Sequence, residues 1–339
     1  MAKNQVRVTG LTLLYCLFSW PPMVGGATGD ASPADLGHRY ELPGHTGRVA
    51  EIVFLPGSDR YLVSAGYDDK TVRLWDLRKR EEVDRIELGI KISDLAISPD
   101  GKTIEALKIT GGIKRIALGK NGFGNPRSHW GSAGDYGRLA INSDGRFYAI
   151  ASRNEAVTVW NAEKRRRHQS YLGTEDYRAV AFAPGKAIFA AADSTDRLAF
   201  WDILALEGFG SRRTYRIQGV APKLGTWDLA FSRDGGQLAT SHIDGHVTTW
   251  RFTAEKLVAS QVHTFDLPQS AFAVVFSPGG EYLFASCQDG SVYRWETASG
   301  KPAGIYPGKS GSLLVLALDR RGSTLAAGSL EGRIVFWQK

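Results

Sequence analysis

The stretch His242-Ile-Asp-Gly-His246 sets two imidazoles across a predicted hairpin turn. On adjacent strands such rings can meet on one face, and a pair of imidazoles suits a soft divalent metal. Two ligands do not close a metal site, so no metal is expected here. The segment Gly119-Lys-Asn-Gly-Phe-Gly-Asn-Pro-Arg-Ser-His-Trp-Gly-Ser-Ala-Gly134 is glycine-rich and aromatic. It lacks the lysine and hydroxyl spacing of a phosphate loop and reads as an irregular outer strand with a crossing loop. The chain has no nucleophile elbow, zinc-protease helix motif or dinucleotide fingerprint. The expectation is a non-enzymatic protein without catalytic residues, metal or cofactor.

The elements that position these residues repeat. Trp75, Trp160, Trp201, Trp250, Trp295 and Trp337 are separated by 85, 41, 49, 45 and 42 residues. The first interval is double, which places a degenerate copy in the gap with Ala117 in the tryptophan position. A period of about 40–45 residues is that of a four-stranded propeller blade. In step with it run the turns Pro56-Gly57, Pro99-Asp100-Gly101, Ser143-Asp144-Gly145, Pro184-Gly185, Arg233-Asp234-Gly235, Pro278-Gly279 and Arg321-Gly322. Proline presets φ, aspartate bonds its own backbone and glycine accepts positive φ. The turn at Pro99 survives in the copy without tryptophan, so the count is seven. Each turn follows an alternating apolar run, such as Val49–Phe54 or Tyr177–Phe182, and precedes two more. No run keeps a helical period, and the pattern reads as an antiparallel meander.

Gly44-His45, Asp69 and Trp75-Asp76 resemble a WD40 repeat, and Trp201-Asp202 repeats its terminal dipeptide. The resemblance extends over about residues 38–339. It implies an all-β, seven-bladed β-propeller of four-stranded antiparallel blades. It also implies a buried network of a His, a Ser or Thr, an Asp and the Trp. Carried over by position, blade 1 supplies His45, Asp69 and Trp75, with Tyr67 in the usual place of the small hydroxyl residue. Asp244 and Asp289 keep the aspartate, Asn154 and Glu331 replace it, and only the first blade keeps the histidine. These residues are expected to be structural. The scaffold itself does not specify a task.

The seventh copy stops at its third run, Trp337-Gln338-Lys339, and His38–Leu42 can supply its fourth strand. Such a clasp removes an exposed sheet edge. Residues 37–339 then make one domain, a single monomeric ring, whose 39 glycines suit a turn-rich fold. Residues 1–27 differ in kind. Lys3 and Arg7 precede an uncharged apolar run ending at Trp20, then Pro21-Pro22 and Gly25-Gly26-Ala27. This reads as a cleaved secretory signal, followed by a short linker, 28–36, and implies a periplasmic or secreted protein of a bacterial envelope. Its removal takes away two basic residues and no acidic one, so the net charge falls from +7 to +5. Only Cys287 remains, which excludes an intrachain disulfide and a stapled secreted module.

The expected function is an exported interaction scaffold that binds a protein partner on one face. The candidate contacts are Tyr136, Tyr177, Arg178, Trp227 and Phe272, large aromatics flanked by charge at the starts of inner strands. The rival reading is a periplasmic small-ligand-binding or enzymatic propeller whose central channel gathers Glu51, Asp94, Arg138 and Asp228. On the opposite rim Arg78, Lys79, Arg80, Arg165, Arg166 and Arg167 offer weak contact with an anionic surface. The export signal and the lack of any nucleic-acid module argue against nucleic acid.

Overall fold

The computed structural model describes residues 37–339 apart from 121, 130–134, 154–156, 165, 172–175, 196, 205–211, 217–224 and 310. The expected signal peptide, 1–27, and linker, 28–36, lie outside the described residues. The strands pair into seven antiparallel sheets. In blade 1 they are Val49–Phe54, Tyr61–Gly66, Thr71–Asp76 and Glu81–Glu87, from the axis outwards. Blades 3 to 6 repeat this order from inner strands Asp135–Ile141, Tyr177–Phe182, Thr226–Phe231 and Ala271–Phe276. Inner strands contact those of the blades on either side, and Leu313–Leu318 of blade 7 contacts Val49–Phe54 of blade 1. That contact closes the ring.

His38–Pro43 completes blade 7, pairing from His38 opposite Gln338 to Pro43 opposite Arg333. Tyr40 stacks on Phe336 at 4.8 Å and the Arg80 guanidinium lies 4.3 Å over the Tyr40 ring. Arg333 donates to Glu41 at 2.8 Å. The clasp is thus apolar inside and charge-paired outside.

Seven hydrophobic clusters, one per interface between neighbouring blades, form the core among the described residues. Each blade tryptophan packs backwards: Trp75 joins blade 7, Trp201 joins blade 3 and Trp250 joins blade 4. In blade 2 the register pairs Ile104 with Ile116, as Leu62 pairs with Trp75. The residue in the tryptophan position is therefore Ile116, not Ala117. It is fully buried against blade 1, so a smaller side chain keeps the same contact. Blade 2 also lacks a regular outer strand. Gly122–Phe123 and Arg127–Ser128 cover its third strand in two short pieces, within the segment expected to be irregular. The positive-φ turn glycine of blade 6 is Gly280 rather than Gly279.

One irregularity recurs in all seven blades. The ladder between inner and second strands slips near the start of the inner strand, as between Val49 and Glu51, Ile92 and Asp94, or Tyr177 and Ala179. Such bulges re-aim side chains. Counting back from the end of each inner strand, the residue before the slip is Val49, Ile92, Tyr177, Thr226, Ala271 or Leu313. Each of these is at most 1% exposed. The next position is Ala50, Ser93, Gly137, Arg178, Trp227, Phe272 and Leu314. The one after is Glu51, Asp94, Arg138, Ala179, Asp228, Ala273 and Val315. The site is built from these last two columns.

Candidate functional site

The bulge column is small on blades 1 to 3 and large on blades 4 to 7. Trp227 meets Phe272 edge-on at 5.3 Å, and with Leu314 they form an apolar ridge at the top of the channel. Beside the ridge, where Ser93 and Gly137 leave room, lies a recess of about 60 Å³. Arg48, Tyr67, Ser93, Gly137, Arg138, Arg178 and Trp227 line it. A side chain at Gly137 would meet the Ala151 carbonyl oxygen at 2.9 Å, so the space stays open. Gly225 makes room similarly for Arg178, whose guanidinium lies 3.1 Å from where a Cβ at 225 would stand.

Beneath the recess lies a cavity of about 190 Å³ lined by Glu51, Asp94, Arg138 and Asp228 among others. These four converge as expected for the channel. Arg138 Nη1 stands 3.4 Å from Glu51 Oε2. Asp94 accepts the backbone amides of Leu95 at 2.8 Å and Leu139 at 2.6 Å, and Asp228 accepts that of Val274 at 3.1 Å. The carboxylates thereby tie neighbouring inner strands together. Burial pushes Glu51 well above the ordinary carboxyl range, with the charge of Asp94 adding to it and that of Arg138 opposing. Burial also raises Asp94 and Asp228, against the opposing pull of Arg138 and the amides. Burial alone would lower Arg138, but the three carboxylates outweigh it and keep the guanidinium charged. Three acids sharing one guanidinium are an under-neutralised set.

The other carboxylate network is in blade 1. His45 Nδ1 lies 2.9 Å from Asp69 Oδ2, and its Nε2 lies 2.7 Å from Ser64 Oγ. Trp75 Nε1 donates to the same Ser64 oxygen at 2.8 Å. The geometry assigns a relay: Trp75 to Ser64, Ser64 to His45, His45 to Asp69. The small hydroxyl is therefore Ser64, in the second strand, and Tyr67 is released to the channel mouth. Burial works against the charge of Asp69, but the hydrogen bond and charge of His45, with bonds from Thr71, hold its carboxyl far below the usual range. Arg73 Nη2 adds a contact at 2.9 Å. In blade 6 Asp289 accepts from Tyr293 at 2.6 Å and from the Ser291 amide at 2.8 Å. Asn154 lies outside the described residues.

Blade 5 solves the same packing problem with the histidine moved. His242 occupies the position of Gly66, where any side chain would collide with Asp69 and His45. Its Nε2 lies 2.9 Å from Thr240 Oγ1, in the register position of Ser64. Burial holds this imidazole down at about 4. The His246 ring instead lies 3.0 Å from Asp244 Oδ1 and 3.2 Å from Asp266 Oδ1. The two rings are engaged separately, and no group of three metal-ligating side chains occurs among the described residues.

The contact candidates divide. Arg178 and Trp227 line the mouth recess. Tyr177 belongs to the buried column and packs edge-on against Trp201 at 5.9 Å; at 1% exposure it is core. Phe272 is 6% exposed and supports Trp227 from behind. Tyr136 is in the inner strand of blade 3, and its side chain lies outside the described residues. Arg48 and Tyr67 were missed. They flank the first inner strand and follow the second strand of blade 1, both on the mouth side, and that topology was the signal available. On the opposite rim Arg80 is held over Tyr40 and Lys79 lies 3.1 Å from Glu81. Arg78 donates its backbone amide to Asp76 at 3.1 Å. Arg166 and Arg167 are exposed, and Arg165 lies outside the described residues. The first basic cluster is thus largely occupied within the molecule.

A family model for the WD domain, G-beta repeat, matches residues 37–76 and 259–296. Each match takes the outer strand of one blade and three strands of the next, the offset that makes the clasp. These matches mark two WD40 repeats within the seven-bladed β-propeller. It is 25% identical over 333 residues to guanine nucleotide-binding protein subunit beta-1 of Nicotiana tabacum, covering 90% of this chain and 84% of that protein. The same identity over 329 residues and the same coverage hold for guanine nucleotide-binding protein subunit beta of Solanum tuberosum. A shorter likeness, 28% over 109 residues, relates it to Protein LST8 homolog of Drosophila melanogaster, covering 32% of this chain and 34% of that protein.

Proposed function

We propose that this chain is an exported, non-enzymatic scaffold that captures a protein partner at the mouth of its central channel. The observation that carries the reading is the recess beside Trp227. A large aromatic with part of its surface exposed and three arginines converge on a concavity held open by small residues, which is how interface anchors are arranged. The relatives named as subunits of guanine nucleotide-binding proteins support a task in assembly. Export rests on Lys3, Arg7 and the apolar run to Trp20. Cavities of about 60 and 190 Å³ fall short of the roughly 300–1,000 Å³ of small-molecule sites. That weighs against the metabolite-binding rival.

The test contrasts neighbours. Trp227→Ala weakens partner capture by about 2 kcal/mol or more while the melting temperature changes little. Tyr177→Ala lowers stability by about 3–5 kcal/mol through the core. Capture by Trp227→Ala equal to that by the unaltered protein, or a metabolite that raises the melting point through the channel, rejects the reading.

A further inference from the structure

We propose that the seam between blades 2 and 3 is a proton-operated joint, closed while the buried Glu105 carboxyl carries a proton and loosened when it ionises. This goes beyond the scaffold reading and does not depend on it.

Glu105 is a carboxyl in a column of apolar side chains. It lies in Thr103–Lys108, the second strand of blade 2, one register step beyond the pair of Ile104 and Ile116. The same step in the other blades gives Val63, Ala149, Ala190, Ala239, Phe284 and Ala326. All six are buried, and Glu105 itself is 0% exposed. Across the ladder Arg115 Nε donates to Glu105 Oε1 at 2.5 Å. From blade 3 the Tyr148 hydroxyl donates to the same oxygen at 3.2 Å, and Arg115 Nη2 donates to that hydroxyl at 3.2 Å. The other carboxyl oxygen, Oε2, is buried without a hydrogen-bond partner.

Packing at the seam points the same way. Its apolar cluster comprises Leu107, Ile113, Leu139, Tyr148 and Ile150, and Trp160 of blade 3 is only partly buried against it. The other five blade tryptophans are at most 6% exposed. Arg115 keeps 30% of its side chain exposed, beneath the short outer piece Arg127–Ser128, so water stands close to the carboxyl. A loosened seam separates Ser93 of blade 2 from Gly137 of blade 3, both in the lining of the mouth recess.

The ionised carboxyl leaves charge on an oxygen that has no donor. The protonated one leaves only an unpaired hydroxyl there, a smaller penalty in a dry interface. Burial pushes Glu105 up to about 7, against the charge and hydrogen bond of Arg115 and the hydrogen bond of Tyr148. Among the described residues these two are the groups that act on it. Asp94 and Arg138 on the adjoining inner strands are engaged on the channel floor. Lys108, Lys114, Arg127 and His129 also stand on the surrounding segments. The side chains of Asp135, Tyr136 and Arg153 lie outside the described residues. In an opened seam water solvates the carboxylate and the ordinary range returns. The folded seam therefore binds the proton more tightly than the open one. Opening grows as pH climbs from the ordinary carboxyl range to about 7 and levels off above it.

The experiment is amide hydrogen exchange on the full chain from about pH 5 to about pH 8.5, each rate divided by its intrinsic rate. Amides of Thr103–Lys108 and of Phe147–Arg153 in blade 3 lose protection at least about tenfold across this range. Those of Tyr282–Cys287 in blade 6 change little. Glu105→Gln removes the step. If that variant does not fold, Tyr148→Phe serves instead. It withdraws a bond that favours the ionised form, so the step extends to higher pH. Equal pH profiles in blades 2 and 6, a step that persists in Glu105→Gln, or a step unmoved in Tyr148→Phe overturns the proposal.

Discussion

Two buried carboxylate networks, the interior of blade 1 and the floor of the channel, use the same residue types to opposite ends. In blade 1 every polar atom of the relay from Trp75 to Asp69 has a partner, and Asp69 is held deprotonated far below its ordinary range. On the floor three acids share one guanidinium, and all three are pushed up. A saturated network stiffens a fold, whereas an under-neutralised one is kept against stability. The contrast separates a network that stiffens a blade from one that lies beneath the mouth recess.

The largest perturbation removes residues 37–43, which both complete blade 7 and deliver His45, whose amide donates to Gly332 at 2.8 Å. The ring is expected to lose cooperative unfolding altogether, read by calorimetry; an unchanged melting curve would contradict the clasp. Next, Asp69→Asn breaks the saturated network and costs about 3 kcal/mol, measured by urea denaturation. The contribution of Asp69 is full above the ordinary carboxyl range. It fades as pH falls through that range towards the depressed pKa, so the stability difference between variant and parent narrows in acid.

The smallest effect has the opposite sign. The raised pKa of Glu51 means that the folded protein holds a proton there which the unfolded chain gives up. Stability therefore declines as pH climbs from the ordinary carboxyl range through the raised pKa. Glu51→Gln is expected to melt a few degrees higher than the parent once pH exceeds the raised pKa and to match it at and below the ordinary carboxyl range, followed by thermal melts across pH. Parallel pH profiles for the two proteins would erase the distinction between the networks.

Much of this was legible in the chain. The spacing of tryptophans and turns carries the seven blades because each blade is a local meander with its own punctuation. Glu51, Asp94, Arg138 and Asp228 occupy one register position in four inner strands, and they were read as channel-lining. Blade 2 was misread by a single residue. Ala117 follows the run where Trp75 ends its own, but strand pairing puts Ile116 in that position. The hydroxyl of blade 1 was sought in the turn at Tyr67 and lies across the sheet at Ser64. In each case the deciding fact is a partner on another strand.

The sequence alone determined the period, the blade count, the clasp and the charged column, because those are repeated and local. Only the tertiary structure decided that Tyr177 is core while Trp227, one register position further on, faces the mouth. It also decided that His242 fills the place of a glycine and that Arg48 and Arg178 line one recess. The reason is the bulge at the start of every inner strand. Side chains alternate with a period of two, so a one-residue slip reverses inside and outside. Where that slip falls is set by the neighbouring strand rather than by the residues themselves.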